Sequence, residues 1–224
     1  MQMTDTLIFD LDGTLLNTLE DLADSTNYAL RACNLPERSL EEVRQFVGNG
    51  VEMLIRRATA GALTEERELE CLSIFKAYYR EHMYDKTRPY DGIMELVRGL
   101  SGQGYRIAIV SNKFDLAVKE LNRIYFENLF PLAVGESDKV AKKPAPDAVF
   151  EVLKQFGSDP DHALYVGDSD VDILTAEHAG VPFAGVTWGF REEAFLLEHG
   201  AKRLIHRPEQ LWEILQGNNK GSEI

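Results

Sequence analysis

The chain has 224 residues, of which 44% are hydrophobic, enough to bury the core of one large domain or of a domain with a smaller insertion. Its net charge of −13 disfavours binding to nucleic acids or anionic membranes through a basic surface. The charge does not exclude an anionic ligand, because anion binding depends on the local field of metal ions, lysines and backbone N–H groups.

The two cysteines and the N-terminus bear on where the protein works. Cys33 and Cys71 are far apart in sequence and lack a Cys-x-x-Cys spacing, so we expect free structural thiols, as is typical of a reducing compartment. The first apolar strand begins within a few residues of the N-terminus, which leaves no room for a signal peptide. No apolar run approaches the ~18 residues of a membrane span. We therefore predict a cytoplasmic protein that does not enter a membrane.

The first predicted strand carries the most informative motif. The apolar run from Leu7 to Phe9 predicts a buried parallel strand, which ends at Asp10 and Asp12 and is followed by a turn at Gly13. The two carboxylates face the same side, at the strand end where α/β proteins bind ligands. They suit Mg²⁺, with one aspartate as metal ligand and nucleophile and the other exchanging protons. Taken alone, the motif fits a solvated Asp-Gly turn equally well.

A long helical segment follows this strand. Its apolar residues recur with helical spacing, and the pattern breaks at Arg88–Gly92. We therefore predict an inserted, all-helical cap domain over 17–85, hinged near 16–17 and 86–89, which can close over the sheet edge as a lid. The core domain is predicted over 1–16 and 86–216, with a flexible tail over 217–224. The predicted helices are Thr18–Cys33, Leu40–Val47, Val51–Ala60 and Thr64–Tyr84.

From Ile93 onward, helices and strands alternate, which favours a parallel sheet with helices on both faces. The predicted fold class is therefore α/β: a Rossmann-like, doubly wound parallel sheet core with an inserted all-helical cap domain. The predicted strands of this part are Arg106–Val110, Leu132–Val134, Ala163–Val166, Phe183–Val186 and Arg203–Ile205. The predicted helices are Ile93–Leu100, Leu116–Ile124, Ala145–Phe156, Val171–Ala179, Glu192–Glu198 and Pro208–Leu215.

Polar residues follow the second long strand and precede a later helix. Ser111 and Asn112 end the strand, where the Ser111 hydroxyl can donate to a phosphoryl oxygen and Asn112 can contact the same substrate. Alternatively, either residue caps the next helix. Lys143, in the pair Lys142-Lys143 before Pro144, lies near a helix N-terminus. There it can neutralise an aspartyl nucleophile and a phosphoryl group, unless the pair is simply solvated.

A third apolar strand, from Ala163 to Val166, runs into a cluster of acids. Asp168 ends the strand and Asp172 lies one helical turn later on the same face. We predict Asp168 as a metal ligand, and Asp172 as an acceptor for metal-bound water or for Lys143. A helix cap with an acidic first turn would explain one of these acids, but it does not explain the pair.

In this order, the segments resemble the four motifs of the haloacid dehalogenase (HAD) superfamily of phosphohydrolases, and the helical insertion resembles that superfamily's C1-type cap. The similarity spans essentially the whole chain. The matching segments are Asp10-Leu11-Asp12-Gly13-Thr14-Leu15, Ser111-Asn112, Lys143-Pro144 and Gly167-Asp168-Ser169-Asp170-Val171-Asp172.

The resemblance implies a role for each motif. Asp10 would be the nucleophile that forms an aspartyl-phosphate, and Asp12 the general acid and base, which also ligates Mg²⁺ through its backbone carbonyl. Ser111 and Lys143 would be the hydroxyl and the lysine of the second and third motifs, and Asp168 the last metal ligand. Dehalogenase relatives lack the second aspartate, so Asp12 favours phosphate chemistry.

Within the superfamily, the segment 46–51 of the cap resembles the substrate loop of phosphoglycolate phosphatases. A Gly-Asn-Gly sequence before a helix offers flexible backbone and free N–H groups, which can bind the carboxylate of a small substrate. Gly48, Asn49 and Gly50 are therefore predicted to bind substrate. Arg56 and Arg57 on the next helix either add positive charge to this site or are solvated.

Two positions depart from the subfamily's pattern. Asn17-Thr18 stands where an Asp-Ser pair is common, and Asp91 stands where a proline often precedes the glycine. Both positions concern the hinge, and we expect that neither affects the core chemistry.

The resemblance implies a Mg²⁺-dependent phosphatase for a small phosphorylated metabolite, phosphoglycolate first, in a protein that is a monomer or a homodimer. A pyrophosphatase, a nucleotide or sugar-phosphate phosphatase and a phosphoglucomutase-like enzyme would share every core residue. A regulator that binds phosphate without turnover is the alternative from another class. It is disfavoured because such proteins usually lose the nucleophile or the acid/base residue, and Asp10 and Asp12 are both present.

Overall fold

The computed structural model describes residues 4–219. The strands are β1 Thr6–Phe9, β2 Leu16–Asn17, β3 Arg88–Pro89, β4 Arg106–Phe114, β5 Leu132–Glu136, β6 Ala163–Gly167, β7 Phe183–Val186 and β8 Leu204–Ile205. The helices are α1 Leu19–Ala32, α2 Leu40–Phe46, α3 Val51–Thr59, α4 Glu65–His82, α5 Ile93–Gly102, α6 Asp115–Phe126, α7 Asp147–Phe156, α8 Asp170–Ala179, α9 Glu193–Glu198 and α10 Gln210–Asn219. None of these helices combines the length and apolar content that crossing a bilayer requires.

Six strands form one parallel sheet in the order β5-β4-β1-β6-β7-β8. Neighbouring side chains of β1 point into different cores: Leu7 and Phe9 pack into one apolar cluster and Ile8 into another. A strand that is buried on both faces needs apolar residues at every position, which explains the continuous apolar runs. The predicted α/β class and doubly wound parallel sheet are confirmed.

Helices α1–α4 form the insertion between β2 and β3, and α1 packs mainly against α4. Phe75 and Tyr79 of α4 belong to the same apolar cluster as the β1 residues Leu7 and Phe9. The insertion is therefore packed onto the sheet by continuous apolar contact. Cys33 and Cys71 are both buried and unpaired by any disulfide. The two side chains are neighbours, although they are far apart in sequence, because Cys33 contributes to the raised pKa of Cys71.

The chain enters and leaves the insertion through a two-stranded antiparallel ribbon. Strand β2 pairs with β3, so that Leu16 faces Pro89 and Asn17 faces Arg88. These residues lie at the two predicted connections. This pairing could not be predicted from the sequence, because two-residue strands carry no measurable alternation and Pro cannot donate a backbone hydrogen bond.

Two boundaries differ from prediction. Strand β4 continues through Ser111 and Asn112 to Phe114, and Phe114 occupies the cap position of α6. Neither Ser111 nor Asn112 therefore caps that helix. At the other end of the chain, α10 extends to Asn219, so the predicted tail over 217–224 begins inside this helix. Residues 220–224 lie outside the described part of the chain.

Candidate active site

The carboxyl ends of β1, β4 and β6 meet beside a cavity of about 40 Å³. Strand β1 lies between the other two, where the strand order reverses and α/β proteins form their binding crevices. The insertion contributes one wall of the cavity, which consists of the apolar side chains of Leu22, Val47, Val51 and Leu54 and of Gly48 and Gly50. Its remaining walls are Asp10, Asp12, Ser111, Asn112, Lys113, Lys143, Asp168, Ser169 and Phe190.

Lys143 joins two of the buried carboxylates. Its Nζ lies 2.9 Å from Asp10 Oδ1 and 2.7 Å from Asp172 Oδ1. Burial opposes the charge of the ammonium, but Asp10 and Asp172 together raise the pKa of Lys143 well above its usual value. Lys143 is therefore a permanent cation next to Asp10. Such a cation can neutralise charge that develops on this aspartate or on a group bonded to it.

Asp172 is fully occupied by donors from the protein. Its Oδ1 accepts from Lys143 and, at 3.1 Å, from the hydroxyl of Tyr165. Its Oδ2 accepts from the backbone N–H and the hydroxyl of Ser169, at 3.1 and 2.6 Å. Asp172 thus orients Lys143 and caps α8 at the same time.

Asp168 is held from three sides. Its Oδ2 accepts the N–H of Phe190 at 2.7 Å, and its Oδ1 accepts the hydroxyl of Thr14 at 3.2 Å. Backbone approaches it at Gly13 and Gly189, where an added Cβ would lie 2.3 Å from atoms of the Asp168 side chain. Gly13 also has a φ of +85°, a conformation that glycine adopts without strain. Neither glycine has room for a side chain.

The carboxylates fit a divalent cation. Oxygens of Asp10, Asp168 and Asp172 lie within 4.8 Å of one another. Burial, reinforced by Asp172, raises the pKa of Asp10 well above its usual value and that of Asp168 to about 7. Buried carboxylates this close repel one another unless a cation lies between them. Because Asp172 is already saturated by protein donors, Asp10 and Asp168 are the side chains that remain to hold the cation.

The Asp12 carboxylate lines the same cavity but is held by other partners. Its Oδ1 lies 2.9 Å from the Nζ of Lys113 and accepts the hydroxyl of Thr18 at 2.7 Å. Lys113 is only 2% exposed and also donates to the hydroxyl of Tyr79 on α4, at 2.7 Å. Burial opposes the charge of Lys113, but Asp12 raises its pKa. The expectation that Thr18 concerns only the hinge is wrong, because its hydroxyl contacts the predicted proton-transfer residue.

Sequence reasoning assigned no role to Lys113 or Tyr79. A signal for the first was present, since Lys113 is a charged residue that directly follows the Ser111-Asn112 motif. No sequence signal pointed to a role for Tyr79, because an aromatic residue at helical spacing predicts only packing.

Ser111 and Asn112 both line the cavity, but they make different contacts. The Ser111 hydroxyl accepts the N–H of Lys113 at 3.2 Å and keeps its own proton to donate. The Asn112 amide binds the Lys143 backbone on both sides, accepting its N–H at 2.7 Å and donating to its C=O at 3.0 Å. It also donates to the C=O of Gly48 at 3.2 Å. Asn112 therefore joins the lysine loop to the insertion.

The predicted substrate loop is only partly at the cavity. Gly48 and Gly50 line it, whereas the Oδ1 of Asn49 accepts from Nη2 of Arg57 at 2.7 Å. Arg57 also donates to the C=O of Phe46 at 2.7 Å. Arg57 is therefore not simply solvated, because this side chain braces the loop from within the insertion; that it adds charge to the site stays a prediction. Arg56 forms an exposed ion pair with Glu68.

The chain thus combines a doubly wound parallel sheet, a helical insertion after β1 and a buried cluster of carboxylates that a lysine joins at the strand ends. The family model of haloacid dehalogenase-like hydrolases matches residues 7–186, and the chain belongs to this family.

Similar proteins cover nearly the same length. A phosphoglycolate phosphatase of Haemophilus influenzae is 37% identical over 92% of this chain and 96% of its own. One from Aquifex aeolicus is 33% identical over 82% of this chain and 85% of its own. The crystal structure of a predicted phosphoglycolate phosphatase from Haemophilus somnus superposes with a TM-score of 0.89 at 32% identity. This superposition covers 96% of this chain and 99% of the other.

Proposed function

We propose that this protein is a Mg²⁺-dependent phosphatase that hydrolyses a small phosphate ester, phosphoglycolate first, through an aspartyl-phosphate on Asp10. The observation that carries the proposal is the buried Asp10 carboxylate, which lines the cavity within 2.9 Å of the Lys143 ammonium and within 4.8 Å of an Asp168 oxygen. The names of the relatives that cover nearly the whole chain support the substrate.

The chemistry divides between the two aspartates of the first motif. Asp10 attacks the phosphorus, and the bond from phosphorus to the ester oxygen breaks as the aspartyl-phosphate forms. Asp12 gives its proton to the departing oxygen, then takes one from the water that hydrolyses the aspartyl-phosphate and releases inorganic phosphate. Because Lys113 and Thr18 both bind Oδ1 of Asp12, its Oδ2 is the oxygen that carries this proton.

Three groups would hold the metal ion: the carboxylates of Asp10 and Asp168 and the backbone carbonyl of Asp12. When bound, Mg²⁺ supplies positive charge to the phosphoryl oxygens in the transition state. Lys143 and the hydroxyl of Ser111 would bind the same phosphoryl group from the protein side.

The cavity supports a short leaving group. Its volume of about 40 Å³ holds about three water-sized groups, so a nucleotide or hexose would displace the insertion further than a two-carbon acid. The backbone N–H groups of Gly48, Asn49 and Gly50 have no protein acceptor among the hydrogen bonds of residues 4–219. They precede the N-terminus of α3, where a carboxylate is favoured by the helix dipole.

We further propose that 17–85 acts as a cap domain hinged at the β2–β3 ribbon, which opens to admit substrate and closes to exclude water. The pair of buried free thiols fits a cytoplasmic protein. A monomer would suffice for activity, since every group used above comes from one chain, and a homodimer would leave the site unchanged.

The test is kcat/KM across phosphoglycolate, pyrophosphate, nucleoside monophosphates and hexose phosphates, with Mg²⁺ and with EDTA. We expect a preference of at least about tenfold for phosphoglycolate, and loss of turnover with EDTA. Equal rates across the panel would refute the substrate. If the wild type released phosphate from none of the esters faster than Asp10→Asn does, the protein would instead be a phosphate-binding regulator.

A further inference from the structure

Arg191 connects the sheet to the end of a helix in the insertion. It lies in the loop after β7, and its guanidinium donates to backbone carbonyls of the α2 C-terminus. Nη1 donates to the C=O of Arg44 at 2.9 Å, and Nη2 to the C=O of Val47 at 2.7 Å and of Gln45 at 3.4 Å. One side chain therefore binds three carbonyls of the segment that leads into the predicted substrate loop.

The remaining carbonyls of the segment are bound as well. The C=O of Phe46 accepts from Arg57, and the C=O of Gly48 accepts from Asn112. Every carbonyl from residue 44 to 48 thus has a side-chain donor. The last carbonyls of a helix have no partner within it and carry its negative pole, so a guanidinium is well suited to this position. Arg191 supplies that guanidinium from the loop after β7.

Arg191 is itself held in place. It follows Phe190, whose N–H donates to Asp168. Its Nε lies 3.9 Å from Asp170 Oδ1, its guanidinium lies 5.8 Å from the ring of Phe195, and its side chain is only 14% exposed. The loop after β7 therefore orients Asp168, a predicted metal ligand, and also holds residues 44–47, which precede the predicted substrate loop.

We propose that Arg191 is a positioning residue that determines recognition of the substrate's leaving group. By holding the carbonyls of Arg44, Gln45 and Val47, it fixes the loop whose Gly48 and Gly50 line the cavity, so that the N–H groups of this loop stay available to the leaving group. This inference rests on the proposed function for the identity of the substrate. It assigns Arg191 no part in the transfer of the phosphoryl group itself.

The matched control is Lys142, which also crosses from the sheet to the insertion. Its Nζ lies 2.8 Å from Glu52 on α3. Lys142→Met therefore removes a contact between the core and the insertion, but it removes no donor to the carbonyls of α2. Arg191→Lys keeps the charge and most of the stem, but an ammonium cannot bridge three carbonyls as a planar guanidinium does.

The first readout compares phosphoglycolate with ethyl phosphate, whose two-carbon leaving group lacks the carboxylate. Hydrogen bonds to a charged group are worth about a tenfold to hundredfold change in affinity. We expect Arg191→Ala to raise KM for phosphoglycolate by that factor. The kcat for phosphoglycolate and the kcat/KM for ethyl phosphate should stay within about threefold of the wild-type values. Arg191→Lys should show most of the same increase in KM. Added guanidinium ion should reverse part of the increase in Arg191→Ala. Lys142→Met should leave the kinetic constants of both substrates unchanged.

The second readout needs no substrate. Backbone hydrogen exchange of residues 46–51 should accelerate at least about tenfold in Arg191→Ala, while α4 and the Lys142→Met variant exchange as the wild type does. Unchanged exchange at 46–51, or an equal loss of kcat/KM for both esters, would overturn the role of Arg191. If the wild type prefers another ester, only the proposed substrate is refuted. The effect of Arg191→Ala on KM is then measured with that ester, and the hydrogen-exchange test stays the same.

Discussion

Replacing Lys113 with methionine removes the cation that links the predicted proton-transfer residue to the insertion. Methionine has nearly the same length and can fill the space, so the change removes the charge and the hydrogen bonds more than the packing. Asp12 would keep the hydroxyl of Thr18 at Oδ1, and Tyr79 would lose the donor that its hydroxyl accepts. We expect both the stability and kcat to fall.

The size of the effect follows from burial and distance. Lys113 and Asp12 are 2% and 14% exposed, with 2.9 Å between Nζ and Oδ1. Removing one member of a buried ion pair costs about 3–5 kcal/mol, and the partial exposure of Asp12 and its bond to Thr18 favour about 3 kcal/mol. Proton transfer by a positioned residue contributes about 10²–10⁴ to the rate. An Asp12 that is present but less well oriented should therefore lower kcat by about tenfold to hundredfold.

The matched variant is Tyr79→Phe, which removes the other partner of the same ammonium and leaves the contact between Lys113 and Asp12 intact. It should lower the free energy of unfolding by about 1–2 kcal/mol and leave kcat within about threefold. The assays are urea unfolding and single-turnover phosphate release with saturating Mg²⁺. A kcat for Lys113→Met within twofold of wild type would refute the orientation of Asp12 by Lys113.

Three further predictions address the nucleophile, the close packing of Asp168 and the buried weak acids. Asp10→Asn should abolish turnover while the circular dichroism spectrum is unchanged, because an amide cannot form the acyl-phosphate; a rate near wild type would exclude covalent catalysis by this residue. Gly13→Ala should weaken Mg²⁺ binding and lower stability, because the new Cβ would meet Asp168 at 2.3 Å in a backbone with φ +85°; equal Mg²⁺ affinity in calorimetry would contradict this. Burial and Cys33 raise the pKa of Cys71 from 9.0 to about 12, and burial raises that of Tyr79 from 10.0 to about 12. The folded chain keeps both groups neutral where the unfolded chain ionises, so the free energy of unfolding should fall as pH rises from about 9 to 12, and less steeply in Cys71→Ser.

The parts of the site that lie at strand ends were predictable from the sequence. Asp10, Ser111 and Asp168 each follow an apolar run, and parallel strands that are buried on both faces leave their carboxyl ends at one edge. Their convergence needs no knowledge of distant contacts, only the rule that places binding crevices at that edge. The same reasoning placed Asp172 on the face of Asp168, one helical turn later, as an acceptor for metal-bound water or for Lys143, and the structure shows the contact with Lys143.

The contacts that control the orientation of these residues could not be predicted in this way. Lys113 binds Tyr79 from a segment 34 residues earlier, and Arg191 binds the carbonyl of Arg44, 147 residues earlier. Asn49 was predicted to bind substrate through the backbone of a Gly-Asn-Gly loop, and nothing in that motif indicated that its side chain binds Arg57. A loop motif specifies backbone freedom, whereas the direction of a side chain depends on which donor the packed helices bring near it.

The sequence by itself determined the α/β class, the helical insertion after β1 and the strand-end residues, because these follow from local apolar periodicity and short-range turn chemistry. Only the tertiary structure decided that α4 and the loop after β7 reach into the same site. Those contacts depend on how the insertion packs against the sheet, through one continuous apolar cluster whose partners are remote in the chain. Apolar packing is non-directional, so an amphipathic helix reveals that it packs but not which polar groups its packing brings together.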